Sequence, residues 1–188
     1  MREYTQIVIE EADRLKTLVN RVLGPNKLPH YTEVNIHQVL DRVYNLVKAE
    51  AGQKVELVRD YDPSIPEVHA DSDQLIQALL NILQNAVRAV GEEGRIVLRT
   101  RIQRNFTIGS KCHRLVAQID IQDNGPGIPS EILEKIFYPM VSASEGGLGL
   151  GLSIAQTLIN QHRGLIECRT MPGETVFTVL LPVETQHA

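Results

Sequence analysis

The stretch Asp123-Asn124-Gly125-Pro126-Gly127-Ile128-Pro129 decides the fold. It follows residues 115–121, in which apolar and polar side chains alternate with the period of a half-buried β-strand. Asp123 therefore stands where this strand ends, with its carboxylate aimed at a pocket. The glycines let the backbone bend and approach a ligand, and the prolines stiffen its path. We interpret the stretch as a ligand-binding loop, although Asp-Asn-Gly alone is also typical of a turn with a capping aspartate.

A second glycine-rich segment occupies residues 145–153. Helical spacing begins after it, through Ile154, Leu158 and Ile159, so the segment predicts a loop that leads into a helix. The free N–H groups and the positive dipole end of such a helix favour phosphate binding. Each glycine cluster alone is more often a turn than a site, but the pair favours a nucleotide site.

A helix is predicted over residues 72–90, before the two glycine-rich segments, with Asp71 as its N-cap. Its apolar face consists of Leu75, Leu79, Ile82, Leu83 and Ala86. Asn81, Asn85 and Arg88 are three or four residues apart and share a neighbouring stripe. Two asparagines in register beside an arginine favour a polar site, whereas isolated mid-helix asparagines can simply bond stray backbone groups.

Four segments resemble the sequence boxes of histidine protein kinases, in their catalytic ATP-binding domain. Residues 73–86 are similar to the N box, 123–128 and 147–152 to the two glycine boxes, and 136–139 to the F box. The same superfamily includes gyrase, Hsp90 and MutL. The resemblance covers roughly residues 34–183. It implies an α/β two-layer sandwich: a mixed, largely antiparallel sheet with three helices on one face, plus a short N-terminal helix.

The resemblance also implies the cofactors ATP and Mg²⁺ and a role for each site residue. Asn85 is the expected Mg²⁺ ligand, Asn81 helps to hold the polyphosphate, and Arg88 lies near the phosphates. The Asp123 carboxylate accepts a hydrogen bond from the exocyclic amine that distinguishes adenine from guanine. The expected nucleotide-binding residues are Asn81, Asn85, Arg88, Asp123, Gly125, Gly127, Ile128, Gly147, Leu148, Gly149, Leu150, Gly151 and Leu152.

Residues 138–148 correspond to the lid that closes over ATP in this family. Leu148 departs from the small hydroxyl residue that is usual there, and residues 138–149 contain no Lys or Arg. The negative charge of the phosphates would then be neutralised by Mg²⁺, Arg88 and the N-terminus of the helix that begins near Leu150. The small residues and the lack of charge pairs predict a lid that is mobile without nucleotide.

Asn81 separates kinase from ATPase chemistry within the superfamily. The ATPase branches carry a glutamate at this position, one turn before the Mg²⁺ asparagine, and an amide cannot take a proton from water. Weak hydrolysis is therefore expected. None of the histidines, at 30, 37, 69, 113, 162 and 187, has the acidic neighbour of a family phosphoacceptor. We expect no catalytic histidine in this chain, an acceptor upstream of Met1, and phosphorylation in trans.

Composition bounds the class of protein. The 188 residues carry a net charge of −4 and contain no basic run with interleaved aromatics, which argues against a nucleic-acid partner. Cys112 and Cys168 have neither metal-ligand nor disulfide-scaffold spacing, so reduced thiols in a cytoplasm are expected. No apolar run is long enough to span a membrane.

The predicted domain organisation has three parts: a helix over residues 1–23, a turn-rich linker over 24–33, and the catalytic domain over 34–188. The helix has apolar residues at helical spacing between residues 7 and 22. The resemblance implies that it is the second helix of a dimerising hairpin, so the full-length protein would be a homodimer. The alternative is a helix that packs on its own domain.

Residues 137–142, followed by Glu145-Gly146-Gly147, most resemble the nitrogen-regulation sensor kinases. This implies transfer of phosphate from the kinase's own dimerisation domain to a response-regulator receiver domain, under control of a PII-type signal protein. The alternatives are an anti-sigma-type serine kinase, an ATPase of the same superfamily, and a non-enzymatic partner-binding module with a degenerate nucleotide fold.

Overall fold

The computed structural model describes residues 28–51, 55–91, 94–141 and 149–183. The helices are α1 (Ile36–Ala51), α2 (Ser72–Val90), α3 (Ser130–Leu133) and α4 (Gly151–Gln161). The strands are β1 (Thr32–Val34), β2 (Glu56–Asp60), β3 (Val68–Ala70), β4 (Arg95–Ile108), β5 (Lys111–Asp123), β6 (Leu165–Met171) and β7 (Glu174–Pro182).

Five strands form the main sheet in the order β2-β4-β5-β7-β6. Only β2 and β4 are parallel, and the other neighbours are antiparallel. The strands β1 and β3 form a separate antiparallel pair. The structure therefore confirms the predicted mixed, largely antiparallel sandwich.

Apolar side chains on one face of the sheet pack against the helices. Alternate residues of the central strands are fully buried, including Ile96, Leu98, Ile119 and Ile121. The helix α2 packs between α1 and α4 and also contacts β5. Its predicted apolar face is entirely buried, with no member more than 1 % exposed. This single core fixes α2 above the end of β5, where Asp123 lies.

Side-chain caps start two helices at Asn35 and Asp71, and both residue types predict an N-cap from the sequence. Oδ1 of Asn35 accepts a hydrogen bond from the backbone N–H of His37, at 2.9 Å, at the start of α1. At the start of α2, Oδ1 of Asp71 accepts from the backbone N–H of Gln74, at 3.0 Å. Hydrogen bonds from backbone N–H groups outweigh the effect of burial and keep the pKa of Asp71 below its usual value.

Pro129 and Ser130 predict from the sequence a short helix from Glu131 to about Phe137, and this prediction is wrong in extent. The helix α3 ends at Leu133, and the chain continues in turns, because Lys135 N–H bonds to Ile132 O and Tyr138 N–H to Lys135 O, each three residues back. The strand β1 was not predicted: residues 32 and 33, assigned above to the linker, pair with β3.

Several predicted features lie outside the described residues. They are the helix over residues 1–23, the first residues of the linker, and lid residues 142–148 with Gly147 and Leu148. Among the helices that the structure does describe, none has the length and hydropathy needed to cross a membrane.

Candidate functional site

Asp123 lies at the end of β5 on the helix-covered face of the sheet and is only 2 % exposed. Its Oδ1 accepts a hydrogen bond from the backbone N–H of Gly125, at 2.9 Å. Burial raises the pKa of the Asp123 carboxyl, and the bond from Gly125 partly offsets this effect. Oδ2 has no hydrogen-bond donor among the described residues. A buried carboxylate with one unused oxygen is suited to accept a hydrogen bond from a ligand amine.

Backbone hydrogen bonds hold the loop after Asp123 on both sides. The side chain of Asn124 accepts from the N–H of Arg95, at 2.8 Å, and the N–H of Asn124 donates to Arg95 O, at 3.2 Å. On the other side, the N–H of Gly173 donates to Gly125 O, at 3.0 Å. The loop is thus tied to the start of β4 and to the turn between β6 and β7.

The two glycines of this loop are required by close contacts. A methyl group at Gly125 would lie 3.2 Å from the backbone carbon of Ala89 in α2 and 2.8 Å from Oδ1 of Asp123. At Gly127, where φ is +88°, it would lie 2.9 Å from the carbonyl oxygen of Met171. The sequence interpretation of these glycines as points of close backbone approach agrees with this geometry.

Two threonines beside Asp123 were not identified from the sequence. Thr175 of β7 pairs with Asp123 of β5 and is 3 % exposed. Its Oγ1 atom lies 3.0 Å from Oγ1 of Thr170. Oγ1 of Thr170 also accepts from the backbone N–H of Ile128, at 3.0 Å. The alternation of Thr175, Phe177 and Val179 along β7 could have placed Thr175 on the inner face, but not opposite Asp123.

Cys168 also lies close to this carboxylate. Burial, with a smaller contribution from the Asp123 charge, raises the pKa of the Cys168 thiol to about 12. The thiol is therefore protonated near neutrality and a poor nucleophile.

The polar stripe of α2 faces away from the core. Asn81 and Asn85 are half-buried and Arg88 is exposed. Among the described residues, none of the three has a side-chain hydrogen bond or ion pair. Their polar atoms are thus available to a ligand.

The N-terminus of α4 lies against Asn81. A methyl group at Gly151 would be 3.8 Å from the Cβ, Cγ and Oδ1 atoms of Asn81. Leu150, the N-cap residue, provides no side-chain bond to the first turn. The predicted binding residues Gly151 and Leu152 therefore carry first-turn N–H groups that lack an intrahelical partner. An uncapped helix N-terminus beside an amide is a favourable place for a phosphate.

The two ends of the predicted lid meet at Gly149. The N–H of Met140 donates to Gly149 O, at 3.0 Å, and the φ of Gly149 is +65°. A methyl group there would lie 2.6 Å from the backbone nitrogen of Val141. Gly149 therefore closes the base of the lid.

The helix α2 links the two parts of the site. Ala89 contacts the Asp123 loop, and Asn81 contacts the start of α4. Asn81 and Ala89 are eight positions apart, or about 12 Å along the helix, with Asn85 midway. The buried carboxylate at one end and the uncapped start of α4 at the other match the length and polarity of a nucleoside triphosphate.

The residues present fit a magnesium ion bound together with a nucleotide. Asn85 offers an amide oxygen, and no group of three or more His, Cys, Asp or Glu residues in the described ranges could hold a metal ion alone. Mg²⁺ commonly takes few protein ligands and completes its shell with phosphate oxygens and water.

Two of the described histidines, His162 and His37, make contacts inside the fold. In His162, Nδ1–H donates to Leu158 O, at 2.7 Å, and Nε2 accepts from the N–H of Asp71, at 3.0 Å. His37 stacks on Tyr61, with ring centroids 5.0 Å apart, and its Nε2 lies 3.0 Å from Oγ1 of Thr100. His187 lies outside the described residues.

The fold defines the class of ATP-binding α/β sandwich domains with a mixed, largely antiparallel sheet. Residues 70–185 match the family model described as histidine kinase-, DNA gyrase B- and HSP90-like ATPase, and the chain belongs to this family.

Within this family, the chain is similar in sequence to sensory histidine kinases. The chain is 53 % identical, over 184 residues, to the sensory histidine kinase/phosphatase NtrB of Klebsiella oxytoca. That alignment covers 97 % of this chain and 53 % of the relative, so the chain spans about half the relative's length.

Two solved structures share the fold. Full-length ShkA in complex with AMPPNP has a TM-score of 0.74 and 27 % identity, covering 100 % of this chain and 40 % of ShkA. Histidine kinase ThkA in complex with the response regulator TrrA has a TM-score of 0.71 and 28 % identity, covering 97 % of this chain and 51 % of ThkA.

Proposed function

We propose that this chain is the ATP-binding catalytic part of a two-component histidine kinase of the nitrogen-regulation type. It binds Mg-ATP and transfers the γ-phosphate to a histidine on the dimerisation domain of the whole protein. The observation that carries the proposal is the reach of α2, which contacts the Asp123 loop at Ala89 and the uncapped start of α4 at Asn81.

The base is recognised by the buried end of the site. The unused Oδ2 of Asp123 accepts a hydrogen bond from the exocyclic amine of adenine, whereas guanine presents a carbonyl oxygen that a carboxylate repels. Gly125 and Gly127 bring the backbone close to the base. Since the loop is already hydrogen-bonded on both sides, little ordering accompanies binding.

The triphosphate lies along α2 towards α4. The N–H groups of Gly151 and Leu152 bind phosphate oxygens, Asn81 donates through its amide, and Arg88 supplies positive charge. Asn85 holds Mg²⁺ through its amide oxygen. When bound, the ion neutralises the charge that develops on the phosphates during transfer.

Asn81 favours a kinase over an ATPase. It lies beside Gly151 at the uncapped start of α4, and an amide cannot accept a proton from an attacking water. The γ-phosphate is therefore preserved for another acceptor.

The partners of the whole protein follow from the same proposal. The NtrB relative is described as a sensory histidine kinase/phosphatase, and ThkA was solved with a response regulator. We infer that this chain works within a homodimer, phosphorylates the acceptor histidine of its own dimerisation domain, and thereby supplies a receiver domain. Control by a PII-type signal protein belongs to this proposal.

The test mixes the chain with radiolabelled Mg-ATP and a dimerisation-domain fragment that carries the acceptor histidine. We expect acid-labile phosphate on the fragment, none on the chain, and little ADP release without the fragment. Asp123→Asn serves as the control that lacks the base contact. Phosphate on one of the chain's own histidines, or rapid hydrolysis without the fragment, would contradict the proposal.

A further inference from the structure

The strands β4 and β5 extend beyond the strands beside them. Strand β2 pairs with β4 only up to Arg99, and β7 pairs with β5 only from Val116 onwards. The pairs from Arg104–Leu115 to Ile108–Lys111 therefore have no neighbouring strand in the described sheet. We call residues 104–115 the cationic hairpin. Its five-residue arms project by about 15 Å.

Positive charge is concentrated in these two strands. Residues 94–119 contain no Asp or Glu, and their basic residues are Arg95, Arg99, Arg101, Arg104, Lys111 and Arg114. The net charge of the chain is −4, so the remainder carries −4 − 6 = −10. The hairpin is thus a positive projection on an otherwise acidic chain.

These basic residues differ in whether an acidic side chain is bound to them. Near the base of the strands, Arg99 and Arg101 bind Asp60, at 2.9 and 2.8 Å, and Arg95 lies 3.5 Å from Glu56. On the cationic hairpin, the exposed Arg104, Lys111 and Arg114 have no ion pair or hydrogen bond from their side chains within the described residues. Three cations held on a hydrogen-bonded hairpin, without counter-charges, favour an acidic ligand.

The composition of the hairpin is that of a protein interface. Phe106 and Ile108 are half-buried on the face of the hairpin that Arg104 and Lys111 share, and arginine together with aromatic residues is enriched in protein interfaces. The tip of the hairpin is also remote from the candidate nucleotide site. Lys111 and Asp123 are twelve positions apart along β5, or about 40 Å.

We propose that the cationic hairpin is a docking site for an acidic patch on a partner protein. Nucleic acid and anionic membranes present negative charge over a large area, which the net charge of −7 on the chain outside residues 104–115 repels. A compact protein with a local acidic patch can contact the hairpin without approaching the acidic remainder of the chain. The inference does not rest on the nucleotide site.

The probe is a short fluorescein-labelled peptide rich in Glu and Tyr, with its Gln-for-Glu version as the control. Binding to the full chain is measured by fluorescence anisotropy at about 0.15 M ionic strength. We expect R104E/R114E to weaken binding of the acidic peptide about tenfold. R42E/K48E makes the same change of net charge on exposed residues of α1 and leaves binding unchanged.

Cys112 provides a second, local measurement. It is exposed on the hairpin, whereas Cys168 is half-buried with a raised pKa. Bound acidic peptide slows the reaction of Cys112 with a thiol reagent, and the Gln version does not. Thermal unfolding of each variant reports its fold independently of ATP binding, so failure of this inference and failure of the proposed kinase function are distinguishable.

Two results would overturn the inference. One is equal loss of peptide binding in R104E/R114E and R42E/K48E, which would reduce the effect to overall charge. The other is tighter binding of a short DNA duplex, or of phosphatidylglycerol vesicles, than of the acidic peptide to the native chain.

Discussion

The two ends of the candidate site are built in opposite ways. At the Asp123 end, the loop is hydrogen-bonded to Arg95 and to Gly173, and its glycines touch neighbouring backbone. At the phosphate end, Asn81, Asn85 and Arg88 have no side-chain partners in the described chain, and α4 has no side-chain cap.

This difference separates two tasks. A rigid, dry pocket discriminates between bases, because a ligand of the wrong shape leaves buried polar groups unpaired. An open set of donors can follow a phosphate chain whose position changes during transfer. Substitutions at either end can break this contrast, and the largest effect is expected at Asp123.

Asp123→Asn is expected to weaken AMPPNP binding about 100-fold, the loss of a hydrogen bond to a charged group of up to about 3 kcal/mol. Calorimetry measures the affinity. The control is Asp120→Asn, because Asp120 is nearly as buried, lies on the other face of the same strand, and bonds Gln118 and Thr178 instead. Similar affinity losses in both variants would remove the special role of Asp123.

Gly127→Ala tests the rigidity of the base loop. Gly127 and Gly173 have nearly the same φ, +88° and +87°, but only Gly127 has backbone within 4 Å of an added methyl group. We expect Gly173→Ala to cost about 1–2 kcal/mol of unfolding free energy from conformation alone. Gly127→Ala should cost about 1–3 kcal/mol more from overpacking. Urea unfolding measures both, and equal costs would mean that the loop can move away.

Asn85→Ala tests the open end. The variant should bind Mg-AMPPNP about tenfold more weakly, since an amide ligand is lost, while its stability stays within about 0.5 kcal/mol because the side chain has no protein partner. Affinity is titrated with and without Mg²⁺. Asn45→Ala, an exposed position on α1, is the matched control. An Asn85→Ala protein that keeps its full response to Mg²⁺ would argue against this ligand.

The smallest expected effect concerns pH and stability. The pKa of Asp123 is raised in the folded chain, so its ionised form costs stability above that pKa and the cost disappears as pH falls towards the unfolded value of about 3.9. Nucleotide-free Asp123→Asn should therefore be more stable than the native chain at pH 7. The gain should vanish in acid, as followed by unfolding at several pH values. A gain independent of pH would point to packing instead.

Asp71 gives the opposite sign. Its pKa is lowered, so the stability that it contributes is present above about pH 3.9 and is lost as pH falls through its folded pKa. Asp71→Ala should lower stability near neutrality by about 1 kcal/mol, as expected for an N-cap. An equal loss at all pH values would exclude the charge as its origin.

Local sequence signals predicted the parts of the fold that local physics determines. Asn35 and Asp71 cap helices because a short polar side chain reaches the free N–H groups of its own first turn. Apolar periodicity identified the buried face of α2, and the alternation before Asp123 identified β5. The polar stripe of Asn81, Asn85 and Arg88 was likewise readable from helical spacing alone.

Features that depend on distant partners were not predictable in the same way. The three residues of β1 are a strand only because β3, more than thirty positions later, pairs with them. The contact between Thr170 and Thr175 requires the register of β6 and β7, and the approach of Gly125 to Ala89 requires the packing of α2 on the sheet. Single-sequence periodicity contains no information on register across strands.

The bond between Met140 and Gly149 has a practical consequence for protein engineering. Because the two ends are joined at 3.0 Å, the intervening residues form a cassette with fixed terminal anchors. Doubling the length of such a loop costs only about 0.6 kcal/mol in closure entropy. Segments of different length and chemistry inserted between these two residues should therefore leave the described strands and helices unchanged.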